Sequence, residues 1–211
     1  LEFSLMKSRL EVYYQKIPSN AERIFKSKVE LNASPSNIYG LSLALKNNNN
    51  FKESLKYINY LVELFPKNLV INNTKIDILL ESGELEEALL LVNKFLEISP
   101  RNYPLSISKS KILLSMEEYF KSEEIIRDQL LRKNSDPELW LLLSEIQRNS
   151  KNIIGYHQSR AEYFLILGQD EKALNQLEFA LKLAQNNFQT SERIMTKIIS
   201  IKDNLKKSRA L

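Results

Sequence analysis

Three small residues recur at one fixed distance: Ser54, Ala88 and Ser122 stand 34 residues apart, each preceded three residues earlier by a large side chain, Phe51, Leu85 or Tyr119. Pro66 and Pro100 keep the same interval, each 12 residues beyond its small residue, and Pro137 arrives three residues late in the third copy. A period of this length marks an array in which one supersecondary unit stacks on the next. The small residue lets two helices approach closely, and the large one fills the gap between adjacent hairpins. The stretch from Gly83 to Pro100 shows the unit most clearly as a turn, a helix and a stop. Gly83 suits a positive φ, Glu84 and Glu86 suit the positive end of a helix, and Leu85, Ala88, Leu89, Val92 and Leu96 form one apolar face before Pro100 halts it.

Composition narrows the class to all-α. Only 4 Gly and 6 Pro punctuate 211 residues, too few turn-makers for many short strands. Apolar runs such as Ala88 to Val92 and Leu139 to Leu143 reach five residues, against the ~20 that span a bilayer, so no membrane span is expected. The absence of cysteine excludes disulfides and thiolate chemistry and leaves the redox compartment open. The chain starts at Leu1 without a signal-peptide pattern, so any targeting segment is expected upstream. The formal net charge is +4 with Lys and Glu interspersed. The basic tail of Lys202, Lys206, Lys207 and Arg209 reads as a solvated terminal helix in preference to a nucleic-acid or anionic-lipid contact.

Along the chain the repeat divides residues 1–211 into one helical array. An incomplete repeat occupies 1–34, with Phe3, Met6, Leu10 and Tyr13 lining a helix of about 14 residues and a shorter one carrying Ile24, Phe25 and Val29. Repeats follow at about 35–68, 69–102 and 103–136, and Asn47 to Asn50 falls at a hairpin turn. The first helices of the second and third copies are weak, since Asn72 and Ser106 stand where a large residue is expected. A later copy, 152–186, carries Ala161, Phe164, Gly168, Ala173, Leu177 and Ala180. Ala173 follows Ser122 by 51 residues, one repeat and a half, which requires an inserted helix at 137–150 with Trp140, Leu143 and Ile146 on one face. The helix after it closes one hairpin and opens the next. Ile194, Ile198, Ile201 and Leu205 mark a capping helix at 188–208.

Catalytic chemistry finds no support. The single histidine, His157, has no second histidine or cysteine at metal-ligand spacing and reads as a packing residue. No serine sits in a Gly-x-Ser-x-Gly elbow, no Gly-rich phosphate loop is present, and Gly83, Gly155 and Gly168 read as isolated helix punctuation. Neighbouring carboxylates such as Glu86 and Glu87 point to different sides of a helix. We therefore expect no catalytic, cofactor-binding or metal residue, and a chain that is not itself an enzyme. Binding is the better prospect, because the first helices of stacked hairpins line a concave side. Counting by 34 places Tyr39, Asn73 and Ile107 at one level and Leu43, Asp77 and Lys111 at the next, with Gln158 and Glu162 as the last pair. This mixture suits a peptide groove and equally suits an ordinary solvent-facing surface.

The period and the small, aromatic and turn positions resemble the tetratricopeptide repeat over nearly the whole chain, which implies a right-handed α-solenoid of antiparallel helix pairs. Four stretches sharpen the resemblance: Leu1 to Leu10, Tyr39 to Leu45, Asp136 to Ser144, and above all His157 to Lys182. Together they are similar to the C-terminal repeat domain of bacterial periplasmic zinc metalloproteases of the BepA (YfgC) type. That resemblance implies a non-catalytic arm that docks outer-membrane protein substrates, their assembly machinery or its own peptidase domain, in the periplasm. Zinc would belong to an HExxH domain that this chain does not contain. The alternative is a stand-alone adaptor in secretion or pilus assembly. Either way the partners are proteins or peptides and not nucleic acid.

The register itself is testable. Ala88→Leu or Ala173→Leu forces a large side chain between packed helices and should lower stability by ~1 to 3 kcal/mol. Urea unfolding of each variant measures this, and unchanged midpoints would refute the assigned register.

Overall fold

The computed structural model describes residues 1–209, with side chains through residue 207. The described residues form twelve helices and no strand: α1 (Glu2–Tyr13), α2 (Pro18–Leu31), α3 (Pro35–Asn47), α4 (Phe51–Leu64), α5 (Leu69–Ser82), α6 (Leu85–Ile98), α7 (Tyr103–Ser115), α8 (Tyr119–Leu130), α9 (Pro137–Asn149), α10 (Ile153–Ile166), α11 (Asp170–Leu183) and α12 (Phe188–Arg209). Lys202, Lys206 and Lys207 are exposed on α12, and the Arg209 side chain lies outside the described residues.

Helix starts carry the 34-residue period further than the small residues do. The first helices begin at Pro35, Leu69, Tyr103 and Pro137, and their partners at Phe51, Leu85, Tyr119 and Ile153, each set 34 apart. Capping sets the beginnings: Ser34, Asn68 and Asn102 accept from the backbone N–H groups of Asn37, Ile71 and Leu105, and Asp136 accepts from that of Glu138. Turn geometry sets the ends, because Asn49, Gly83, Glu117 and Lys151 all take left-handed φ at the same interval. Thus α9 starts a hairpin in full register. The half-step falls after it, where Gly168 (φ 68°) repeats the turn 17 residues beyond Lys151. Tyr156 stands where the earlier copies have Ser54, Ala88 and Ser122, which hides this hairpin from the small-residue pattern.

Contacts divide the chain into two compact units, Leu1–Ile112 and Leu113–Leu211. In the first, α1, α2 and α4 all pack on α3. Every residue of α3 from Ile38 to Leu45 is therefore buried. Ser42 and Ser54 show how close α3 and α4 come: each hydroxyl donates to the other's backbone carbonyl, at 3.0 and 2.8 Å. Gly40 serves the α2 contact, since a Cβ there would fall within the ring of buried Phe25. In the second unit α8 packs on α9, α9 on α10, α10 on α11, and α11 on α12. Ala161, Ala173, Leu177, Ala180 and Ala184 form its core with Ile194, Ile198 and Ile201 of α12.

Four local expectations change. Phe3, Met6, Leu10 and Tyr13 are exposed; α1 buries Leu5, Ser8 and Val12 instead, because that side meets α3. α2 is not the shorter N-terminal helix but has 14 residues, opened by Pro18 at its first turn. Gly155 is no punctuation: it is buried inside α10 against Asn152 and Gln147, which leave no room for a Cβ. Asn72 does not weaken α5, because its buried amide donates to the carbonyls of Pro66 and Asn68. The α2–α3 contact gives a direct check. Gly40→Ala should cost ~1 to 3 kcal/mol by overpacking, and Phe25→Leu in the same chain should recover part of that loss in chemical denaturation.

Candidate functional site

The polar residues of the first unit gather on α1, α3, α5 and α7. Tyr39, wholly buried on α3, needs a partner for its hydroxyl. Arg9 of α1 supplies two N–H donors, at 3.0 and 2.6 Å, and donates a third bond to Thr74 Oγ1 at 2.7 Å. Thr74 gives its own proton to the Val70 carbonyl, so the Tyr39 hydroxyl donates to Thr74 at 2.9 Å. Three helices are thus tied at one guanidinium. One turn along α5, the Asp77 carboxylate accepts from Asn73 Nδ2 at 3.3 Å and from Ser108 of α7 at 2.9 Å.

Arg9 lines two cavities. One, of about 210 Å³, brings together Arg9, Leu43, Lys46, Thr74 and Asp77; the other, of about 260 Å³, brings together Arg9, Met6, Leu69, Asn73 and Leu105. Leu43, Asn73 and Asp77 therefore share one face, as their spacing predicts. Tyr39 does not open to it: it is 0% exposed because α1 covers α3, and its contribution is to hold Arg9. Leu43 shows only 8% of its surface, at the cavity wall. On α7, Ile107 is half-buried and Lys111 is exposed. Gln158 and Glu162 lie in the second unit, where they line a cavity of about 370 Å³ with Trp140, Arg127 and Arg193. Glu162 is paired there with Lys197 at 3.1 Å. His157 is a packing residue: its ring stacks on Phe179 and its Nδ1 bonds Gln176 at 2.8 Å.

Sequence reasoning missed Arg9, Lys46 and Thr74. For Arg9 a signal existed. Counting back 34 from Leu43 reaches Arg9, and from Tyr39 reaches Leu5, so α1 obeys the period although the N-terminal hairpin reads as incomplete.

The sequence matches no protein-family model and no curated protein. Solved structures supply the likeness. The structure of PilF from Pseudomonas aeruginosa aligns with a TM-score of 0.61 at 13% identity, covering 93% of this chain and 89% of that one. A thermophilic tetratricopeptide-repeat protein of Thermus thermophilus gives 0.55 at 18% identity, over 94% and 98% of the two chains. One from Parabacteroides merdae gives 0.55 at 16%, over 97% of each. The chain has the tetratricopeptide-repeat fold. In that fold's terms, α1, α3, α5 and α7 are the first helices of successive repeats, and Arg9 and Asp77 stand at equivalent positions of the first and third.

Electrostatics gives this face its character. Burial pushes the Asp77 carboxyl above its ordinary value of 3.8, and it outweighs the opposing Ser108 hydrogen bond and the nearby charges of Lys46, Arg9 and Lys111. Among the described residues no group of three His, Cys, Asp or Glu is placed to hold a metal ion, and no helix is long and apolar enough to cross a membrane. What the arrangement can do is hold a segment by shape, hydrogen bonds and mixed charge.

The raised carboxyl has a signed consequence. The folded chain keeps the Asp77 proton to higher pH than the unfolded chain, so this group lowers stability as pH rises from 3.8 through its folded value. Asp77→Asn removes that slope. Urea unfolding of both proteins from about pH 3 to about pH 7 should show the variant gaining on the parent as pH rises. A gap that shrinks with pH would show that the three cations dominate over burial.

Proposed function

We propose that the chain is a protein-interaction domain that holds an extended protein segment along the first helices of its N-terminal unit. The observation that carries this reading is Arg9, held rigid by Tyr39 and Thr74 and shared by two adjoining cavities with apolar walls. An extended strand sends successive side chains to opposite faces, so two pockets on one face suit alternate side chains, with the guanidinium available to a backbone carbonyl. Leu43, Asn73, Asp77, Ile107 and Lys111 are the contact residues of this reading, and Gln158 and Glu162 form a second contact in the other unit.

The finer reading rests on the resemblance of residues 157–182, which build α10 and α11. On it, the chain is the non-catalytic arm of a periplasmic zinc metalloprotease and chaperone, docking outer-membrane protein substrates or their assembly machinery. Translating the source gene upstream of Leu1 tests that origin. An export signal followed by HExxH supports it, and a frame that opens without them leaves a stand-alone adaptor in secretion or pilus assembly.

Binding is tested separately. The chain is titrated with a labelled, urea-unfolded outer-membrane β-barrel protein, and binding is followed by anisotropy. Asp77→Lys combined with Lys111→Glu should weaken capture roughly tenfold, ~1.4 kcal/mol, with unchanged circular dichroism. Equal capture by a folded double variant would move the contact to another face.

A further inference from the structure

We propose that the outer face of α1 is the interface of a parallel dimer of this chain, a contact independent of the partner-binding face above. Phe3, Met6, Leu10 and Tyr13 recur at intervals of three, four and three residues. That spacing keeps one side of a helix turned toward a second helix lying alongside. All four are open: Phe3 is 84% exposed, Met6 37%, Leu10 54% and Tyr13 76%. Tyr14 and Ile17 extend the stripe at 74% and 56%. The opposite side of α1 is spent on α3 through Leu5, Ser8 and Val12, so the helix is apolar on two sides and only one is covered.

The occupant follows from spacing, area and charge. A 3-4-3 stripe is complementary to another helix with the same stripe. A standard interface takes about 800 Å² from each partner, and aromatic side chains bury ~150 to 250 Å² apiece. Three largely exposed aromatics with Met6, Leu10 and Ile17 supply an area of that order. Charge selects a second copy and its direction. In a parallel, in-register pair, Glu2, just before Phe3, faces Lys7 of the second copy, just after Met6, and symmetry makes the ion pair twice. Both side chains are exposed and available. An antiparallel pair through the same stripe sets Lys7 against Lys7, a like-charge contact that disfavours it.

Sedimentation of the 211-residue chain over a concentration series tests the proposal, with Leu10→Glu and Phe3→Glu as separate variants. Each replaces an exposed side chain, and circular dichroism verifies folding. The expected result is a dimer that each variant converts to a monomer of half the mass. Glu2→Lys should raise the dimer Kd several-fold, and adding Lys7→Glu should bring it back. Because the chain has no cysteine, Leu10→Cys introduces a single thiol that mild oxidation should link to its symmetry mate. A monomer at all concentrations, a dimer unaffected by both glutamate variants, or a Leu10→Cys dimer that resists cross-linking would overturn the parallel α1 interface.

Discussion

Close approach between helices at small residues is the constraint on which the rest of the structure depends. Ser54 lets α4 come near enough to α3 for two serines to exchange hydrogen bonds with each other's backbone. Ala88 on α6 and Ala173 on α11 occupy equivalent positions with no exposed surface. A larger side chain there would separate the hairpin, and the large residue one turn earlier would lose its socket. Because interiors are packed to crystalline density, spacing between helices is set by these few volumes. Each hairpin then offers the next the same surface, so one interval serves the whole chain.

Helix capping is the second periodic device, and it explains why weak helices form. α5 and α7 lack the large side chains expected near their starts, yet Asn68 and Asn102 satisfy N–H groups that would otherwise lack partners. Their positions repeat Ser34 and anticipate Asp136. At the other ends, Asn49, Glu117 and Lys151 adopt the left-handed turn that Gly83 takes without cost. The tertiary fold imposes that conformation on residues that do not prefer it.

The polar face of the first unit shows burial and function meeting at one level. Covering α3 with α1 buries the Tyr39 ring, and its hydroxyl must then be paired within the protein. Arg9 and Thr74 meet that need, which fixes a guanidinium at the wall of two cavities. A residue expected to contact a partner thus positions the one that does so in the proposed reading. The Asp77 carboxyl follows the same logic, accepting hydrogen bonds from α5 and α7 while burial raises its proton affinity.

The repeat interval, the all-helical class and the shared face of Leu43, Asn73 and Asp77 were legible in the sequence, because each depends on spacing along one chain. Helix period and hairpin length are local, and 3.6 residues per turn converts position into direction. What only the tertiary structure decided is which sides are covered. Phe3, Met6, Leu10 and Tyr13 make as convincing an apolar face as Leu5, Ser8 and Val12, and the choice between them came from where α3 lies. Tyr39 was hidden and Arg9 revealed by that same contact. Periodicity describes a helix by itself, whereas burial belongs to pairs of helices and depends on how much volume each neighbour leaves.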